Sequence, residues 1–150
     1  MGNVLYYHLA MSQQEIEEGE QLRLDFSRFQ SRDGTGVVPV AVQDVNTRTV
    51  LLIAHASERA LNETVRTGLA TFWSMSRNEL WVKGATSGNM LEVVEIRVNC
   101  EQNSLLYIVQ LKRGGACHTK DGRGNYRLGC YYRKIIDGKL VMSEQQRRAS

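Results

Sequence analysis

Three cysteines, Cys100, Cys117 and Cys130, fall in the last third of the chain at intervals of 17 (117 − 100) and 13 (130 − 117) positions. Three thiols cannot all pair within one chain, and a reducing compartment keeps them as thiols. Three readings remain: small buried hydrophobes, thiolates for a metal, or nucleophiles. No Cys-x-x-Cys knuckle is present, so the spacing does not choose between them. The surroundings bear on the choice. Cys117 follows Gly114 and Gly115, where backbone can come close to a ligand, and His118 is adjacent. Three thiolates that leave one position open make a catalytic zinc arrangement, because the metal lowers the pKa of water in that position toward ~7.

A second constellation lies in FWSMSRNELWVKGATSGN, Phe72 to Asn89. Ser74, Ser76, Arg77, Lys83, Thr86 and Ser87 place hydroxyls and cations around glycine turns, as holding a phosphate requires. The same pattern equally describes a hairpin with polar tips, and Trp73 and Trp81 read as core. Other templates are missing: there is no His-Glu-x-x-His, no Gly-x-Ser-x-Gly, and no His-x-Glu with Pro-Cys-x-x-Cys. Metalloprotease, α/β-hydrolase and cytidine-deaminase chemistry are thereby excluded. A free imidazole titrates near neutral pH, which suits His55 and His118 to acid–base work; His8 lies in a segment with no assigned element.

The elements that must position these residues are legible in outline. Ser12 and Glu15 make a capping-box pattern, and Ile16, Leu22 and Phe26 supply an apolar stripe, which predicts a polar amphipathic helix from Ser12 to about Gln30. After the turn cluster SRDGTG, the runs VVPVAVQD and TVLLIA flank VNTR and predict a β-hairpin. SERALNETVRTG predicts a helix with Ser57 as N-cap, Ala60, Leu61, Thr64 and Val65 on one face, and Gly68 as its stop. ATFWSM, ELWVKG, LEVVEIRV, SLLYIVQL, CYYRKII and KLVM are short strand-like runs. There is no βαβ rhythm and no repeat. The expected fold is α+β, mostly β: a buckled mixed or antiparallel sheet, pseudobarrel-like, with one packed helix and an N-terminal helix.

A length of 150 residues suits one domain with its own core. The expected division is an extension over residues 1–35, a domain over 36–142 and a flexible tail over 143–150. No apolar run approaches the ~20 residues of a membrane span, and the N-terminus lacks a secretion signal, with Tyr6 where an acylation motif wants Ser or Thr. These features predict a soluble, cytoplasmic protein. The net charge of +3 comes with no basic block longer than QQRR. That favours an anionic small molecule over nucleic acid or membrane as partner.

Taken together, the motifs resemble those of the phosphoribosyl-AMP cyclohydrolase family of histidine biosynthesis, from about Gly36 to Arg133 and in the family's order. GVVPVAVQD resembles its first strand, ERAL with TG its helix, FWSMSRNELWVKGATSGN its signature block, NCEQNSLL its metal segment, and GACHT and CYYR its last cysteine motifs. The resemblance implies a homodimer in which Cys100, Cys117 and Cys130 ligate zinc across the interface. It also implies hydrolysis of the N1–C6 bond in the adenine ring of phosphoribosyl-AMP, giving the ring-opened aminoimidazole carboxamide. The substrate's two phosphates would fall to Ser74, Arg77, Lys83, Thr86, Ser87 and Arg133, and proton transfer to His118. The family's magnesium segment usually reads Asp-Cys-Asp-x-Asp. Asn99, Glu101 and Asn103 stand there instead, so one carboxylate replaces three and magnesium is disfavoured. Ala85 replaces a common Glu, and the loop between Cys117 and Cys130 is longer than the usual one. These departures leave two alternatives: a diverged relative hydrolysing another purine-like nucleotide, or a non-catalytic zinc-stabilised dimer.

Overall fold

A computed structural model describes residues 10–143. His8 and most of the expected C-terminal tail lie outside those residues.

The N-terminal helix is shorter than its sequence pattern predicts. Helix α1 spans Gln13–Glu18. Ser12 and Glu15 do form the capping box: the Ser12 amide donates to Glu15 Oε2 at 2.7 Å, and the Glu15 amide donates to Ser12 Oγ at 3.2 Å. Gly19 then ends the helix, its amide donating to the Glu15 carbonyl at 3.1 Å. No residue of α1 is buried, so no packing extends a segment too short to be helical by itself. The rest of the expected helix is irregular chain with a turn at residues 26–27. Leu24 and Phe26 rest on the core, and β1 (Phe29–Gln30) pairs with the chain ahead of it.

The expected hairpin is present as β2 (Gly36–Asp44) and β3 (Val50–Ala56), antiparallel with Val40 opposite Ala54. Its turn is built by Asp44, which is fully buried and accepts from the Thr47 amide at 2.8 Å and the Thr47 hydroxyl at 2.7 Å. Helix α2 (Glu58–Thr67) follows, capped as predicted. Ser57 Oγ accepts from the Ala60 amide at 3.1 Å, and Gly68 adopts a left-handed φ of +73°, its amide donating to the Thr64 carbonyl at 2.8 Å. Its buried face is Ala60, Leu61 and Thr64. Val65, expected on that face, is 68 % exposed. The face turns toward β4 (Thr71–Ser74), where the Thr64 hydroxyl accepts from the Thr71 amide at 3.0 Å, and that register points the next residue outward.

β4 and β5 (Glu79–Val82) form a second hairpin, and β6 (Leu91–Val98) and β7 (Leu105–Leu111) a third. β8 (Arg133–Ile136) and β9 (Lys139–Met142) form a fourth. The run CYYRKII becomes strand only from Arg133, because the Cys130 amide is drawn to the Leu51 carbonyl at 2.7 Å. The main sheet has the order β1-β2-β7-β6, with β3 also on β2. It is mixed: β2 runs antiparallel to β3 but parallel to β7, with Val40 beside Leu105. The sheet stays open, since β3 and β6 do not pair, so the expected buckled sheet is found without closure into a barrel.

Alternation on β7 buries Leu105, Tyr107, Val109 and Leu111. Tyr107 and Phe72 are the largest fully buried side chains, with ring centroids 5.9 Å apart, and Trp81 lies 5.6 Å from Phe72. Trp81 and Trp73 are both half-buried, and Trp81 packs against the core, as its sequence context predicts. Leu91, fully buried where β6 begins, locks that strand to the same core. Replacing Leu91 by Ala leaves a cavity there and is expected to destabilise the fold by about 3 kcal/mol in urea unfolding, with an unchanged m-value.

Candidate functional site

Cys117 lies beyond the end of β7, in a loop closed by backbone. The Ala116 amide donates to the Leu128 carbonyl at 2.8 Å, and the Cys117 amide to the Arg127 carbonyl at 3.1 Å. Gly115 is required for this closure, because a Cβ there would stand 2.2 Å from the Arg127 carbonyl oxygen. The glycine therefore admits the chain's own backbone rather than a ligand, which corrects the sequence-based reading of that position. The closure returns the chain to Cys130, which its bond to Leu51 ties to β3.

This path brings Cys117 and Cys130 near enough for each to shift the other's ionisation, and sets Lys83 close enough to act on both. Burial alone would raise the Cys117 pKa. The Thr119 hydroxyl, 3.0 Å from its sulfur, and the Thr119 amide, donating at 3.4 Å, outweigh burial with help from Cys130 and Lys83, so the thiol is held below its usual value. Cys130 goes the other way, to about 11. Desolvation by the atoms crowded round its sulfur is the main cause, and the charge and hydrogen bond of Cys117 add to it. Cys130 nonetheless keeps an exposed surface, which leaves the pair reachable from outside. Lys83 is 8 % exposed, its pKa lowered by burial and partly restored by the two sulfurs, and its ammonium lies 5.3 Å from the centre of the Trp81 ring.

The rest of the signature block supplies polar turns. Arg77 sits in the β4–β5 turn, its amide donating to Ser74 Oγ at 3.3 Å, with its guanidinium 3.2 Å from Glu79. Thr86 and Ser87 are exposed in the turn after Lys83, where Gly84 has a φ of +80° and a Cβ would stand 2.2 Å from the Asn89 backbone. His118 is exposed beside Cys117. His55 is half-buried on β3 opposite Pro39. Arg133 opens β8, its guanidinium 5.5 Å from the Tyr132 ring. Thr119, Gln102 and Asn89, whose buried side-chain nitrogen has no hydrogen-bond partner among the described residues, are not marked by the sequence. Only Thr119 had a signal, a hydroxyl two residues beyond a cysteine.

Cys100 does not join the pair. It precedes β7 and Cys117 follows it, and a strand from Leu105 to Leu111 separates its ends by roughly 20 Å. Among the described residues no three His, Cys, Asp or Glu side chains converge to hold a metal. The two paired thiols themselves suit a borderline-soft ion such as zinc. Asn99, Glu101 and Asn103 do not suit magnesium. Asn99 Oδ1 accepts from the Asn103 and Ser104 amides, both at 2.9 Å, and Asn99 Nδ2 donates to Asn103 Oδ1 at 2.7 Å. Asn103 Nδ2 donates to Glu101 Oε2 at 2.9 Å, and Arg28 lies 3.8 Å from the same oxygen. These oxygens are satisfied by amide donors and an arginine, and one carboxylate offers too little charge for a hard dication.

The chain is an α+β, mostly β, hydrolase in which Cys117, Cys130 and buried Lys83 lie near one another. The chain belongs to the phosphoribosyl-AMP cyclohydrolase family, whose model matches residues 52–132, a span holding all three cysteines and the whole of Phe72–Asn89. A phosphoribosyl-AMP cyclohydrolase of Archaeoglobus fulgidus is 50 % identical over 103 residues, covering 69 % of this chain and 89 % of that protein. That of Halobacterium salinarum is 53 % identical over 109 residues, covering 73 % and 78 %. The histidine biosynthesis bifunctional protein HisIE of Aquifex aeolicus is 39 % identical over 105 residues, covering 70 % of this chain and 48 % of that protein. Among the described residues no helix is long and apolar enough to cross a membrane.

The opposed shifts of the two thiols have a measurable consequence in metal-free protein. Cys130 has a folded pKa above its unfolded value, so its contribution to stability is intact below pH 9 and is lost as pH rises toward about 11. Denaturation across that range is expected to show wild type losing stability relative to Cys130→Ala. A constant difference between the two proteins would contradict the coupling.

Proposed function

We propose that this chain hydrolyses the N1–C6 bond of the adenine ring of phosphoribosyl-AMP in histidine biosynthesis, as a zinc-dependent homodimer. The observation that carries this reading is the proximity of Cys117, Cys130 and Lys83, each acting on the others' ionisation, in a chain of the cyclohydrolase family. Cys117 and Cys130 of one protomer, with Cys100 from its partner, would hold the ion. Zinc, when bound, supplies Lewis acidity that makes water a nucleophile at neutral pH. Thr119 favours the thiolate of Cys117 that ligation needs, and the charge of Lys83 favours both thiolates.

The chain's other residues bind and orient the substrate. Lys83, Thr86, Ser87 and Arg133 offer cations and hydroxyls to its phosphates, with Ser74 and Arg77 on the neighbouring turn. Arg77 is partnered by Glu79 through an exposed contact that a phosphate can displace at little cost. Holding both ends of the substrate sets the ring carbon against the thiol pair. His118, exposed and one residue from Cys117, moves a proton to or from the ring nitrogen.

Two observations support a dimer. The distance across β7 keeps Cys100 from the thiol pair of its own chain. The β8–β9 hairpin is exposed along both strands, with Ile135 79 %, Leu140 60 % and Met142 61 % accessible. A two-stranded hairpin of that composition is marginal in water and gains stability by packing against a second copy.

The experiment is an ultraviolet absorbance assay with phosphoribosyl-AMP, with zinc determined on the same sample and magnesium added or withheld. Turnover with bound zinc and no response to magnesium is the expected result. Cys117→Ala is expected to lose zinc and activity together, and an active zinc-free variant would sink the reading. Ile135→Glu is expected to shift the protein toward monomer in sedimentation, with a parallel loss of bound zinc.

A further inference from the structure

The segment before β2 lies outside the matched family region, yet it is fastened to the loop that carries Cys100. The fastening is Gln102, 5 % exposed and held at a φ of +51°. Its side chain uses all three of its amide functions on the N-terminal segment. Gln102 Oε1 accepts from the Arg23 amide at 2.6 Å, and Gln102 Nε2 donates to the Ile16 carbonyl at 3.1 Å and the Gln21 carbonyl at 3.2 Å. A fourth bond runs from the Asp25 amide to the Gln102 carbonyl at 2.8 Å. Two donors facing carbonyls and one acceptor facing an N–H allow only one orientation of that amide.

Among its described residues the segment contributes little to the core: α1 buries nothing, and only Leu24 and Phe26 pack on it in part. Its bonds to Gln102 therefore act chiefly on the loop. Inside the loop Asn99 binds the Asn103 and Ser104 amides, and outside it Gln102 binds the segment, so exposed Cys100 stands between two fixed points. We propose that residues 16–25 clamp the Cys100 loop through Gln102, a positioning residue that holds Cys100 in the geometry needed to complete a metal site. The metal readout rests on the zinc reading above; the loop readout does not.

The test compares wild type with Gln102→Met, which keeps the side chain's size and removes its hydrogen bonds. Zinc affinity by competition with a chromophoric chelator is expected to fall ~10- to 100-fold, as loss of a group that orients a ligand does. Coupling is reciprocal, so zinc added to wild type must slow amide exchange at Arg23 and Asp25 by a comparable factor. That measurement needs no variant and stands if Gln102→Met fails to fold. Wild-type zinc affinity in Gln102→Met, or unchanged exchange at both amides on adding zinc, overturns the proposal. Should wild type bind no zinc, the zinc reading fails and the clamp is judged on metal-free protein, by the alkylation rate of Cys100 followed by peptide mass spectrometry. Faster alkylation in Gln102→Met then upholds the clamp, and an equal rate overturns it.

Discussion

The parallel pairing of β2 with β7 is the constraint from which the site's layout follows. It joins residues about sixty-five positions apart in the sequence, a closure that local preference does not supply. Once β7 lies beside β2, the loop holding Cys100 is at one end of that strand and the loop holding Cys117 is beyond the other. The same pairing buries Tyr107 against Phe72, so core and site layout share one cause. Cys130 is then brought toward Cys117 by β3, which also pairs with β2, through the bond from its amide to Leu51.

The thiol pair is an arrangement under electrostatic load. Desolvation resists ionisation at Cys130, and the nearby charge of Cys117 adds to the difficulty. Lys83 offsets part of it, although burial disfavours the charged form of Lys83 itself. A bound cation would stabilise both thiolates at once, which is how a site poor in isolation becomes good on ligation. Near Cys100 the logic differs. Amides replace carboxylates, and the oxygens that would meet a hard cation are satisfied by the loop's own N–H groups.

The fit between sequence and structure varies from element to element. Helix α2 was legible from Ser57 to Gly68 because both of its ends are fixed by local chemistry, a side-chain cap and a left-handed glycine. The face it buries was misjudged at Val65, since helical period alone does not say where the sheet lies. The N-terminal pattern showed a true start and a false length. Its capping box is local, whereas the continuation beyond Gly19 needed a packing surface that Gln102 and the sheet instead drew into irregular chain.

By itself the sequence determined the strands, the capped helix, the family and the identity of the three cysteines, because each depends on residue type and short spacing. The tertiary structure decided which thiols meet, how buried Lys83 is, and that Gln102 joins the N-terminal segment to the Cys100 loop. Those depend on which distant strands pair, and pairing is settled by burial of the Phe72–Tyr107 core across the whole chain. No spacing of 17 or 13 residues encodes that Cys117 turns toward Cys130 and away from Cys100.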